Sequence, residues 1–306
     1  MGTHQQTNKY AQGGIKLKLK ERLHSGEFVI TAEVGPPKGI SLAETLHSAD
    51  AFLRDTDAIN VTDCQASVMR LGSLTACKAL LDNGHEPIYQ LACRDRNRIA
   101  LQSDLLSAAY FGIENVLLLT GDYTTLGDSP EAKPVYDLDS VSLLHAASEL
   151  ETGVDISGNK LTAPFPKFFK GAVVSPCSDS PDVQLRKMEQ KIKAGAEFFQ
   201  TQAVFESTKF ASFMNDAKSF GVPVLLGVVI LKSGNMARFM NKHIAGVNIP
   251  KWIIDKLDED KDRAKSGEAG LEIAKAIIHG CEDNCEGLHI MSLGWEDKVP
   301  TLLDMI

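Results

Sequence analysis

The chain has 306 residues, of which 43% are hydrophobic and 24% charged, and its formal charge is −8. That is material for one large α/β domain or two average ones. The acidic balance argues against nucleic acid as the main partner, and no apolar run approaches the ~20 residues that membrane insertion needs.

Residues 1–14 (MGTHQQTNKYAQGG) are polar and lack the apolar core of a signal peptide. Gly2 does not open a myristoylation motif, because Gln6 stands where Ser or Thr is wanted. A flexible tail over 1–14 and a single catalytic domain over 15–306 are expected. The six cysteines (64, 77, 93, 177, 281 and 285) lie mostly in apolar segments. With no secretion signal, reduced thiols in a cytoplasmic protein are the simplest expectation.

The first apolar run, 28-FVITAEV-34, carries Glu33 one residue before its end. Gly35-Pro36-Pro37 then stops the strand, since each proline lacks a donor and has a fixed φ. Seven further runs follow: 58–63, 87–93, 115–122, 171–176, 198–205, 223–230 and 287–294. Most are almost continuously apolar, as parallel strands covered on both faces should be. Amphipathic segments at 41–54, 96–112, 139–150, 181–196, 206–221 and 267–280 alternate with them. Leu42, Leu46, Ala49 and Leu53 share one face of the first segment. Gly112 and Gly195 mark helix ends, and Ser180-Pro181 marks a start. Eight strand–helix units predict a closed (β/α)₈ TIM barrel. An open doubly wound sheet is the alternative, but no strand leads into a glycine-rich dinucleotide fingerprint. Two long excursions, 123–169 and 231–266, should carry function or small extra elements.

In such a barrel the site lies at the carboxyl ends of the strands. Glu33, Thr62-Asp63, Cys93-Arg94, Gly121-Asp122, Ser175, Gln200, Gln202 and Ser292 collect there. Polar side chains in apolar strands cost several kcal/mol each unless partnered. So many at one rim point to a polar ligand. Glu33 and Asp122 admit two readings: carboxylates paired with a nearby cation or backbone donor, or a general acid with a second carboxylate beside it. A glycosidase also uses two carboxylates, but this rim lacks aromatic residues for stacking sugars.

These motifs, in order, resemble the methylenetetrahydrofolate reductases, which are flavin-dependent barrels. The likeness covers about residues 20–295. The run 32-AEVGPP-37 is similar to the family's turn after strand one, which places Glu33 at the catalytic acid. Residues 61-VTD-63 match the strand-two end, whose threonine, Thr62 here, faces flavin and nicotinamide. In 119-LTGD-122, Thr120, Gly121 and Asp122 match the turn beneath the flavin, and Tyr136 matches a tyrosine at its ribityl and adenosine end. The block 191-KIKAGAEFFQTQAVF-205 places Lys191 at the flavin phosphates and Gln202 at the pterin or nicotinamide. The resemblance implies reduction of 5,10-methylenetetrahydrofolate to 5-methyltetrahydrofolate by hydride from reduced flavin. Glu33 would supply the proton that opens the ring at N10, held in place by the Pro-Pro exit. Asp122 would stabilise the cationic intermediate and favour hydride release.

The sequence also departs from the family pattern. Thr120 replaces an arginine and Gln90, on strand three beside the flavin, replaces a histidine. Gln184, Lys187 and Gln190 replace Asp, Asn and Arg, and Ser175 replaces a tyrosine. These departures touch the flavin's phosphate and adenosine end, while the residues at its ring end are better kept; the resemblance implies FAD, with FMN as the alternative. After strand seven, 231-LKSGNMARF-239 lacks the phenylalanine over the pterin. The electron donor stays open between NADH, NADPH and an iron–sulfur or zinc-containing partner subunit. An oligomer or heteromer is expected. A pterin-binding methyltransferase barrel and a non-catalytic barrel docking a redox partner are the alternatives.

Two weaker signals remain. His279, Cys281, Cys285 and His289 have spacing that could hold a metal. They precede strand eight, however, at the barrel's stability face, so ordinary thiols and no metal are expected. The charged run 255–265 reads as a solvated helix face or loop.

Overall fold

A computed structural model describes residues 17–52, 55–244 and 246–306. The 1–14 tail and Leu53 lie outside the described residues. Eight parallel strands close into a barrel in chain order: β1 Val29–Val34, β2 Ala58–Val61, β3 Pro87–Ala92, β4 Asn115–Leu119, β5 Phe169–Val174, β6 Phe198–Ala203, β7 Val224–Val229 and β8 Gly287–Met291. Closure is by β1 on β8, with Thr31 opposite His289. The eight expected strands are the eight observed, and the open-sheet alternative is excluded.

The helices are α1 Leu19–His24, α2 Ala43–Phe52, α3 Ser73–Asp82, α4 Arg98–Tyr110, α5 Ser140–Thr152, α6 Pro181–Lys193, α7 Ser207–Ala217, α8 Gly234–His243, α9 Lys251–Glu259, α10 Lys261–Ser266, α11 Glu268–Cys281 and α12 Val299–Met305. Their starts follow local chemistry. Asn97 caps α4 by accepting from Ile99 N and Ala100 N, and Asp139 caps α5 in a reciprocal box with Ser142. The long excursions carry α5 in one case and α8, α9 and α10 in the other. The charged run 255–265 spans the end of α9 and most of α10. No helix among the described residues is long and apolar enough to cross a membrane.

The main core lies between strands and helices, as in other barrels of this architecture. A second apolar cluster fills the barrel's amino-terminal end: Val29, Ile88, Leu117, Phe169, Phe198 and Leu225 meet Leu19 and Leu23 of α1. Phe169 and Phe198 stack there at 4.8 Å. This end is therefore plugged. Above the plug the inward-facing side chains turn polar, with Thr31, Asn60, Gln90, Gln200 and His289 all buried. The barrel is closed to apolar ligands below and built to meet a polar one above.

Candidate active site at the carboxyl ends of the strands

A cavity of about 600 Å³ opens at the carboxyl ends of the strands, within the range of small-molecule sites. Glu33, Asp122, Lys191 and Gln202, drawn from four strand–helix units, share its wall. Six glutamines also line it: Gln65, Gln90, Gln184, Gln190, Gln200 and Gln202. An amide offers a donor and an acceptor at one tip, which suits the edges of pterin-like rings.

Glu33 is 5% exposed and sits at the end of β1. The exit it precedes is tied down. Gly35 O accepts from Thr45 Oγ1, Pro36 O from Arg70 Nη1, and Pro37 O from Leu71 N. Two amides donate to its carboxylate, and an imidazole stands beyond them. Gln65 Nε2 donates to Oε1 at 3.0 Å and Gln90 Nε2 to Oε2 at 3.3 Å. His289 Nε2 stands 3.7 Å from Oε2. Asn60 Nδ2 donates to His289 Nδ1 at 3.2 Å, so the ring's proton is left on Nε2, toward Glu33. Thr31 Oγ1 lies 3.1 Å from the same Nδ1. Thr31, Asn60, Gln90 and His289 thus form one buried network that fixes the acid's position.

Asp122 follows β4 and is exposed at the mouth; its Oδ2 accepts from Ala66 N at 3.2 Å. Gly121 before it has φ +94, and a Cβ there would lie 2.9 Å from Arg94 Cβ. Glycine is required at this turn both by conformation and by space. Thr120 Oγ1 accepts from Ser140 N and so joins the turn to the start of α5. Tyr136 Oη donates to Asp122 O at 2.7 Å, bracing the turn from the first excursion. Asp63 accepts from Ala92 N and pairs with Arg96 at 2.7 Å. It is a structural ion pair beside the site.

On the far wall, Lys191 of α6 donates from Nζ to Val173 O at 2.6 Å. Burial, and then the neighbouring Lys187, push its ammonium down to about 8, against a weaker upward pull from Asp139. A half-buried cation whose direct partner is a neutral carbonyl is suited to an anionic ligand. Gln200 on β6 is 1% exposed, and neither Nε2 nor Oε1 has a partner in the protein. An uncompensated cation and an unsatisfied amide in one cavity fit a ligand that carries an anionic group and a ring with amide-type edges, as a flavin does.

Residues 18–306 match the family model for methylenetetrahydrofolate reductase. The chain belongs to this reductase family. It is 26% identical to the 5,10-methylenetetrahydrofolate reductase of Pectobacterium carotovorum subsp. carotovorum over 83% of this chain and 81% of that one. It is 25% identical to the Escherichia coli K12 enzyme of the same name over the same shares. Methylenetetrahydrofolate reductase 2 of Schizosaccharomyces pombe is 22% identical over 70% of this chain, but the match spans only 34% of that longer protein. Among solved structures, a Clostridium thermocellum protein described as binding two copies of 5-methyl-5,6,7,8-tetrahydrofolic acid superposes with a TM-score of 0.62. It is 17% identical, with 94% of this chain and 97% of that one covered. Oxaloacetate acetylhydrolase follows at 0.53 and 12% identity. These two likenesses establish the barrel alone.

Within the reductase frame, the structure brings Glu33, Gln90, Thr120, Gly121, Asp122, Lys191 and Gln202 to one cavity. Thr62 and Tyr136 are not on its wall. Thr62 is buried behind it with Oγ1 unpartnered, and Tyr136 acts through the Asp122 backbone. Gln90, expected beside the flavin, is turned to Glu33 and Asn60. His289 corrects the sequence reading. It lies within β8 on the inner face, against Glu33, and not with Cys281 and Cys285 at the opposite end. His279 is exposed and pairs with Glu282. No group of three or more metal-ligating side chains occurs among the described residues. His289 was legible from alternation, since Gly287, His289 and Met291 share a face. Gln65, on a loop, left no such signal.

Proposed function

We propose that this protein reduces 5,10-methylenetetrahydrofolate to 5-methyltetrahydrofolate with a bound flavin, FAD ahead of FMN, and that Glu33 is the proton donor. The observation that carries the reading is the placement of a buried acid, a mouth carboxylate and a half-buried cation on one cavity wall. Lys191 would hold the phosphate end of the flavin, with Thr120 and Gly121 forming the turn under its ring. Gln202 would take the pterin edge. Bound reduced flavin supplies the hydride that converts the activated carbon to a methyl group.

The protein's own residues prepare that step. Opening the folate ring breaks the bond between the methylene carbon and N10. The electron pair goes to N10 together with the Glu33 proton, leaving a cationic iminium at N5. Asp122 provides the negative charge that stabilises this cation. Gln90 and His289 flank Glu33 while it gives up its proton, and Gln90 donates to the carboxylate that results. Burial of Glu33 keeps water from competing for the proton.

The test begins with mass identification of the released flavin, then reduction trials with NADH, NADPH and an artificial dye. Glu33→Gln should retain flavin and still be reduced, while folate reduction falls by about 10³-fold or more, the upper range for loss of a general acid. A variant that reduces the folate at the wild-type rate removes Glu33 from the role. A wild-type protein that binds neither FAD nor FMN ends the reading altogether.

A further inference from the structure

Two amides donate to the Glu33 carboxylate, yet the proposed reaction needs Glu33 to carry a proton. The conflict centres on Gln65. Its hydrogen bond to Glu33 is the shorter of the two, and unlike Gln90 and His289 it comes from an exposed loop and not from the barrel wall. The loop is strained. Cys64, Ala66 and Ser67 have φ of 46°, 52° and 59°, a region that costs non-glycine residues about 1 kcal/mol or more each. It touches both carboxylates of the site at once, through the Gln65 side chain to Glu33 and through Ala66 N to Asp122.

A second cavity of about 360 Å³ lies on the other side of this residue. Glu33 and Gln65 line both cavities, so Gln65 is the partition between them. The second cavity also presents Glu44, Arg70 and Glu296. A Gln65 side chain displaced from the substrate cavity has room there and polar groups to meet it.

We propose that Gln65 is the latch on the acid: in the free enzyme its amide holds Glu33 as a carboxylate, and entering folate displaces the amide into the second cavity, so that substrate binding lets Glu33 take up its proton. The assignment of Glu33 as proton donor rests on the proposed function above. Gln65 is a positioning residue acting through Glu33. His289 from β8 is the titratable group beside Glu33; the other charged groups that line the two cavities with it are Asp63, Arg94, Asp122, Asp139, Lys187 and Lys191 in the main one and Glu44, Arg70 and Glu296 in the second. Gln90 and His289 stay in place in both states, because each is anchored in the buried network through Asn60. Gln65 alone is free to leave. The proton comes from solvent, passes from Glu33 to N10 in the reaction, and is replaced from solvent after product leaves.

Gln65→Met keeps the length and removes the donor. The flavin-free protein is titrated by infrared spectroscopy, following the carboxyl band that Glu33→Gln abolishes. The Glu33 midpoint should move up by about one pH unit in Gln65→Met, the lower end of what one hydrogen bond to a charged group is worth. Added 5-methyltetrahydrofolate should raise the protonated fraction in the wild type and leave Gln65→Met nearly unchanged. In the flavin-loaded enzyme, the alkaline limb of kcat/KM should move up by the same amount, with that of kcat unmoved, since kcat/KM reports the free enzyme and kcat the complex. Superimposed titrations overturn the latch, as does an equal folate response in both proteins or an equal shift of both limbs. The flavin-free titration needs no turnover. A wild type that titrates as described but reduces no folate therefore sinks the proposed function and not the hold of Gln65 on Glu33.

Discussion

Lys191→Met should make the flavin-free protein more stable and the flavin weaker, with the two effects tied to one charge. The fold lowers the Lys191 ammonium from the ordinary 10.5 to about 8, chiefly by burial. That drop is worth about 3 kcal/mol against the charged form at neutral pH. Loss of the bond to Val173 O offsets part of the gain from removing the charge, so the net stabilisation is about 1–3 kcal/mol. At about 2 °C per kcal/mol for a chain of this size, the midpoint of thermal unfolding should rise by about 2–6 °C at pH 7. The sign with pH follows from the direction of the shift. A lysine lowered in the fold carries its full penalty below about 8, and the unfolded chain holds the extra proton between 8 and 10.5. Wild-type stability should therefore gain on Lys191→Met as pH rises through that window, and the gap should shrink by pH 10. Flavin affinity should fall by about 10- to 100-fold, the worth of one charge-assisted bond. Paired melts at pH 7 and pH 10, with flavin titration by fluorescence quenching, measure all three. A variant less stable than wild type at pH 7, or a gap independent of pH, would show that Lys191 is a structural cation and not one kept for a ligand.

Other substitutions separate the parts of the site. Gly121→Ala forces φ +94 on a residue with a Cβ and drives that atom to 2.9 Å from Arg94 Cβ. It should cost about 2–4 kcal/mol in urea unfolding and weaken flavin binding in parallel; full stability would mean that the turn relaxes freely. Asp63→Ala removes the partner of half-buried Arg96, although Asp104 remains 2.9 Å away. A loss of about 3 kcal/mol is expected, with reductase activity per folded molecule retained; selective loss of activity would move Asp63 into the chemistry.

What the sequence made legible follows from how a barrel covers its strands. Strands packed on both faces are apolar runs, and the eight runs were found for that reason. The same near-continuity hid the inner face. In 198-FFQTQAVF-205, Gln200 stands out as polar, but nothing in the run says that its amide lacks a partner. His289 was grouped with Cys281 and Cys285 by proximity along the chain, when register across the closing strand pair sets it opposite Thr31. Helix α3, 73-SLTACKALLD-82, was missed although its apolar residues recur at helical spacing as those of α2 do. It buries Ser73, Ala76, Cys77 and Leu80. Gln65 was out of reach for a different reason. Its role depends on a left-handed loop conformation that no residue in 64-CQAS-67 advertises, since glycine and asparagine are the usual occupants of such positions.

The departures from the family pattern gain a physical sense once the contacts are known. Gln90 replaces a ring that can titrate with an amide that cannot, next to an acid already served by His289. Two imidazoles facing one carboxylate could both become cations and fix it in its charged form over the whole acid range. Here one imidazole and two amides lie against Glu33, and under the proposed latch Gln65 is the one that moves. Restoring a ring with Gln90→His should weaken the dependence of Glu33 on Gln65. In the double variant with Gln65→Met, the midpoint shift should be visibly smaller than in Gln65→Met alone. Additive shifts would show that the two amides act on Glu33 independently.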